Sequence, residues 1–175
     1  MTSSTLLVID VQSGLIDGAY QAQATLDRIN QVIAKCRNSS VPVVFIQHCH
    51  STFVPLMKGN AGWEVHPALH QLNSDTYMEK TASDAFFNTH LDQYLAADDI
   101  DHLIIVGLQT EYCVDTTCRA AMSKGYAVTL VADDHTTGGT HTPEQEVIAH
   151  HNEILANLAH PTHSIAVVPA ADLVI

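Results

Sequence analysis

Runs of apolar, largely β-branched residues recur along the chain at Thr5 to Ile9, Val41 to Ile46, His102 to Val106 and Tyr126 to Val131, with Ser164 to Val168 as a fifth. Within each run the apolar character is continuous rather than alternating, which suits a strand buried on both faces. Between them, Ala22 to Cys36, Asn88 to Ala97, Tyr112 to Ser123 and Pro143 to Leu158 carry apolar residues at helical spacing. Alternating strand and helix predicts an α/β fold: a three-layer α/β/α arrangement on an open, mainly parallel, Rossmann-like sheet. Thr142-Pro143-Glu144 reads as an N-cap, a first-turn proline and an early acid at the start of the last helix. Gln47 to Lys80 follows neither period, being interrupted by Pro55, Gly59, Gly62 and Pro67. Loops of that length inside a compact domain usually carry function.

Composition narrows the classes. A chain of 175 residues fits one domain, taken here as 1–175, with no internal repeat. Hydrophobic content of 46% against 15% charged residues predicts a globule with part of its surface covered by further copies of itself, a homo-oligomer such as a dimer or tetramer. The net charge of -12 argues against nucleic acid or an anionic membrane as partner, since both require clustered Lys and Arg. A small-molecule substrate remains. The chain opens on Met-Thr-Ser-Ser and a short strand, without a charged and apolar leader or a run of about twenty apolar residues, so the expected location is cytoplasmic. Cys36, Cys49, Cys113 and Cys118 include no CxxC pair, which suits a reducing compartment.

Ligand crevices in parallel sheets lie beyond the carboxyl ends of the strands. Asp10 directly after Ile9, His48-Cys49-His50 after Ile46, and Cys113 after the third strand run all fall there. An acid ending an apolar strand needs a task or a partner, although capping the following turn would serve equally. A cysteine in the first helical turn faces unpaired N–H groups and the positive end of the macrodipole, which favour thiolate, and this weighs against its being a small buried hydrophobe. Lys80, one of only seven basic residues, is by itself a solvated loop lysine. Gly107 and Gly14 are candidates for close backbone approach, and Phe86, Phe87 and Tyr112 for a substrate pocket or for core packing.

Taken together, LLVIDVQSG, PVVFIQH, GWEVHPAL, EKTASDAFFNTHLDQYL, HLIIVGLQTEYCV and GYAVTLVADDHTT, in that order, resemble the isochorismatase-like cysteine hydrolases. That group includes nicotinamidases, carbamoylsarcosine and maleamate amidases and streptothricin hydrolase. The resemblance implies a catalytic triad of Asp10, Lys80 and Cys113. It also implies an oxyanion hole from the backbone N–H groups of Gln109 and Cys113, with a cis peptide bond between Leu108 and Gln109. Implied with these is metal-free hydrolysis of a C–N bond in a small molecule through a thioester, with no cofactor.

Twelve histidines leave room for another reading. His48 and His50, two apart on a strand end, would share a face and could bind a metal with His66. Nicotinamidases hold a metal near this point through an aspartate and histidines; this chain has His48 in place of the aspartate and only His50 fits that pattern, which counts against metal-dependent chemistry and leaves it as the alternative expectation. His48 and His135 are further pocket candidates, with Asp133 and Asp134 as turn caps beside His135. Thr136 to Thr142 is a candidate lid, and His150 and His151 are surface or interface residues. Arg28, Arg37 and Arg119 are few for a strongly anionic substrate, and Arg119 alone falls near the crevice. A non-catalytic thiol sensor or binding protein built on Cys113 is a third reading, against which Asp10 and Lys80 stand, because a sensor needs no proton shuttle.

Overall fold

The computed structural model describes residues 3–139 and 141–175. Six strands, β1 (Ser4–Ile9), β2 (Val43–His48), β3 (Thr76–Lys80), β4 (His102–Leu108), β5 (Ala127–Thr136) and β6 (Ile165–Val168), form one sheet in the order β3-β2-β1-β4-β5-β6. Every pairing is parallel. The helices are α1 (Ser13–Ile16), α2 (Ala22–Asn38), α3 (Leu91–Ala97), α4 (Asp115–Ser123) and α5 (Glu144–Ala156). Among the described residues, no helix is long and apolar enough to cross a membrane.

Continuous apolar strands work here because both faces are covered. Leu7, Ile9, Leu103 and Ile105 point to one side, where Leu91, Leu95, Cys118, Ala121, Met122 and Leu155 from α3, α4 and α5 meet them. Leu6, Val8, Ile104 and Val106 point to the other, against Leu26, Ile29, Val32, Ile33 and Cys36 of α2. The strand order reverses direction at β1, so the gap between the carboxyl ends of β1 and β4 is the place where a ligand crevice opens.

Several boundaries differ from the expectations. β3 lies inside the stretch read as irregular: a short edge strand whose residues alternate in burial and so lack the apolar run of its neighbours. It places Lys80 at a strand end rather than on a solvated loop. β5 continues to Thr136, past a register shift that pairs Leu130 with Ile105 but His135 with Gly107. Asp133 and Asp134 therefore lie in the strand and are not turn caps. Asp134 is buried against the Arg28 guanidinium at 3.0 Å, and Asp133 Oδ1 accepts the Ala170 N–H. Pro143 occupies the cap position of α5 with Glu144 first in the helix, one residue later than Thr142-Pro143-Glu144 suggested. The helix predicted from Tyr112 begins instead as a π-helical turn over Thr110–Val114 that runs into α4.

Candidate active site

Asp10, Lys80 and Cys113 converge from the ends of β1, β3 and β4. Asp10 adopts φ +53°, a left-handed conformation that Asp tolerates better than most residues and that turns the chain sharply off the strand. Its carboxylate is fully buried, as is nearly all of Lys80. Lys80 Nζ donates to Asp10 Oδ2 at 2.7 Å, to Cys113 Sγ at 3.1 Å and to the Ala82 carbonyl at 3.1 Å. Asp10 Oδ1 is buried with no hydrogen-bond partner among the described residues. The Asp10 carboxylate and the Cys113 sulfur approach within 4.8 Å, so the thiol is the acid at hand for a carboxylate with an unpaired oxygen.

The glycine of Gly107-Leu-Gln brings these strands together. Gly107 pairs with Ile9 at φ +125°, and a Cβ there would sit 2.1 Å from the Ile9 carbonyl oxygen. Gly14 also permits a close approach: its Cβ would lie 3.0 Å from both the Gly62 carbonyl and Pro55 Cβ of the long loop. The Leu108–Gln109 bond is cis, as the resemblance implied. The Gln109 carbonyl accepts the N–H groups of Tyr112 and Val114, which shapes the turn that carries Cys113.

Charge in the site is set by burial and by neighbours. Burial pushes the Cys113 thiol up to about 12, the Asp10 charge adds to this, and Lys80 opposes it. Burial of the anion therefore works against the thiolate that a helix-start position favours. Burial alone would lower Lys80, but Asp10 and Cys113 outweigh it and hold the ammonium above its ordinary value. His48 is lowered, first by burial and then by Lys80, so its imidazole is neutral.

His48 reaches the site, with Nδ1 3.0 Å from Lys80 Nζ. The other two members of the expected histidine cluster do not join it. His50 is exposed and its Nδ1 accepts the N–H groups of Thr52 and Phe53, while His66 Nε2 lies 3.2 Å from Asp17 Oδ1. The donor atoms that do converge, within 4.8 Å of one another, belong to Asp10, His48 and Cys113. Lys80 Nζ is hydrogen-bonded to each of them, so the ammonium sits where their lone pairs point.

The remaining candidates divide. Phe86 is buried and stacks on Tyr126, a core role, whereas Phe87 and Tyr112 are exposed. His135 is not in the crevice: it is buried between Thr110 and Asn152, at 2.9 and 2.8 Å, and braces the π-helical turn from behind. Arg119 is held by Asp115 on its own helix, and Arg37 by Asp75, so neither offers a free guanidinium to a substrate. The proposed lid includes Thr140, which lies outside the described residues. Gly138, Gly139, His141 and Thr142 line a cavity of about 600 Å³ with Gln109, Tyr112, His150 and His151. A second cavity, of about 450 Å³, is lined by Cys49, His50, Ser51, Met57, Lys58 and Thr81, the last directly following Lys80.

One residue escaped sequence reasoning. Gln12 is fully buried, and its side chain grips the β2 end from both sides: Oε1 accepts the His48 N–H at 2.8 Å, and Nε2 donates to the His48 carbonyl at 3.1 Å. Nε2 also donates to the Trp63 carbonyl at 2.7 Å, tying the long loop to the site. A lone amide in the apolar start of the chain was the available signal.

A family model described as "Isochorismatase domain" matches residues 4–162. A streptothricin hydrolase from Streptomyces noursei is 32% identical over 135 residues, covering 75% of this chain and 49% of that protein, so the chain spans about half the length of that relative. A nicotinamidase from Escherichia coli is 27% identical, over 76% of this chain and 83% of that one. Among solved structures, an isochorismatase family protein aligns with a TM-score of 0.83 at 32% identity, covering 94% of this chain and 98% of its own.

Proposed function

Because this chain belongs to the isochorismatase family, we propose that it is an amidohydrolase that cleaves the C–N bond of a small molecule with Cys113 as nucleophile. The observation that carries the reading is the single buried ammonium of Lys80 within hydrogen-bond distance of both Asp10 and Cys113. Asp10 takes the thiol proton on its unpartnered Oδ1, and Lys80 stabilises the negative charge as it passes between oxygen and sulfur. The thiolate adds to the amide carbonyl, and the oxyanion is received by the N–H groups of Gln109 and Cys113. Collapse breaks the C–N bond, the departing amine takes the proton from Asp10, and a thioester remains on Cys113. Asp10 then takes a proton from water as it attacks the thioester, which returns the thiol and releases the acid. The relatives named as nicotinamidase and streptothricin hydrolase support amide chemistry. The Lys80 ammonium at the focus of Asp10, His48 and Cys113 supports a reaction run by these side chains.

Rapid-quench mass spectrometry during turnover of a panel of small primary amides, ureido acids and nicotinamide tests this. Ammonia release with an acyl adduct on Cys113 is the expected result, with Cys113→Ala slower by at least about a thousandfold. Undiminished turnover in Cys113→Ala refutes it.

A further inference from the structure

The Lys80 ammonium carries three hydrogens and faces four acceptors: Asp10 Oδ2 at 2.7 Å, His48 Nδ1 at 3.0 Å, and the Ala82 carbonyl and Cys113 Sγ at 3.1 Å each. Three hydrogens cannot give each of the four acceptors a full bond, so at least one must share a hydrogen or go without. Asp10 is charged and the Ala82 carbonyl is fixed in the main chain, so the contest lies between the imidazole and the sulfur.

We propose that His48 is a positioning residue, whose Nδ1 holds the third ammonium hydrogen away from Cys113 at rest and releases it to the sulfur once the thiol has lost its proton. The inference rests on the cysteine-nucleophile reading above. A thiol sulfur is a weak acceptor and a neutral imidazole nitrogen a good one, so the resting hydrogen belongs to Nδ1. Removal of the S–H proton to Asp10 reverses the order, because the hydrogen bond from ammonium to thiolate is charge-assisted on both sides. No bond other than S–H is broken; the ammonium keeps its three hydrogens and only re-aims one. Since Lys80 donates to Nδ1, the imidazole carries its own hydrogen on Nε2. The charged and titratable groups facing the ring are Lys80, Asp10 and His50, with Cys113 across the site. The ring is placed independently of Lys80, because Gln12 grips the His48 main chain on both its N–H and its carbonyl.

The test compares His48→Asn, which keeps an acceptor close to the Nδ1 position, with the nearly isosteric His48→Leu, which has none. The rate of iodoacetamide modification of Cys113 in the full chain at pH 8, mapped by peptide mass spectrometry, reads the thiolate fraction directly. Dividing by the rate at the fully buried Cys118 removes any contribution from general opening of the fold. His48→Leu should react about tenfold faster than His48→Asn, the size of one charged hydrogen bond redirected to sulfur. His48→Asn should restore the wild-type rate. Equal rates in the two variants, or a slower Leu variant, overturn the proposal, since a purely structural histidine would be missed alike in both. The readout needs no turnover. Failure to hydrolyse any amide with the Leu-to-Asn contrast intact would count against the amidohydrolase reading alone.

Discussion

Gly107→Ala separates the demands of the sheet from those of the chemistry. The added Cβ would stand 2.1 Å from the Ile9 carbonyl oxygen, 2.7 Å from its nitrogen and 2.8 Å from its carbonyl carbon, all main-chain atoms in the strand beside it. No side chain can rotate to make room, so β1 and β4 must part at the centre of the sheet. The φ of +125° adds strain of about 1–3 kcal/mol for any residue with a Cβ. Overpacking a well-filled interior costs about 1–3 kcal/mol more. A loss of roughly 4 kcal/mol follows, which for a domain of this size lowers Tm by about 8–16 °C. Urea unfolding followed by circular dichroism measures it, with Gly18→Ala as the control, because a Cβ at Gly18 meets nothing within 4 Å. Catalysis should suffer beyond stability, since Ile9 directly precedes Asp10. A destabilisation under about 1 kcal/mol would show that the strands yield easily and that the reasoning from contact distance is wrong.

Lys80→Met leaves the Asp10 carboxylate buried and unpaired, and should destabilise by about 3–5 kcal/mol in urea unfolding, part of which Asp10→Asn in the same chain should recover. His135 is held down to about 4 by burial, against its hydrogen bond to Asn152 Oδ1, which favours its charged form. A depressed folded value means that the unfolded chain binds the extra proton first, so this contribution is fully present above about pH 6.5 and is lost as pH falls through about 4. The urea midpoint should therefore fall between those values, and His135→Gln should flatten that part of the profile.

The general architecture was legible because both-face burial writes itself as unbroken apolar runs, and five of the six strands carry one. β3 did not, since Tyr77 and Glu79 stand exposed on one of its faces and break the run, whereas β6, the other edge strand, stays apolar from Ile165 to Val168. The far half of β5 was hidden by Asp133 and Asp134, which look like turn residues until Arg28 is brought across from α2 to pair with the second. Asp10, Lys80 and Cys113 could be named from motif order, but their spacing of 70 and 33 residues gives no hint that one ammonium joins them. Nor could sequence show that His48 belongs to that ammonium while His50, two residues on, turns away to cap its own loop. Local alternation predicts the face of a strand only while the strand lasts, and β2 ends at His48.

The raised value of Cys113 has a bearing on durability. Peroxide and other oxidants attack thiolates, and the burial that raises this thiol disfavours that form. On the proposed reading, the same burial shields the nucleophile from oxidative damage between turnovers, and the sulfur becomes reactive when Asp10 takes its proton.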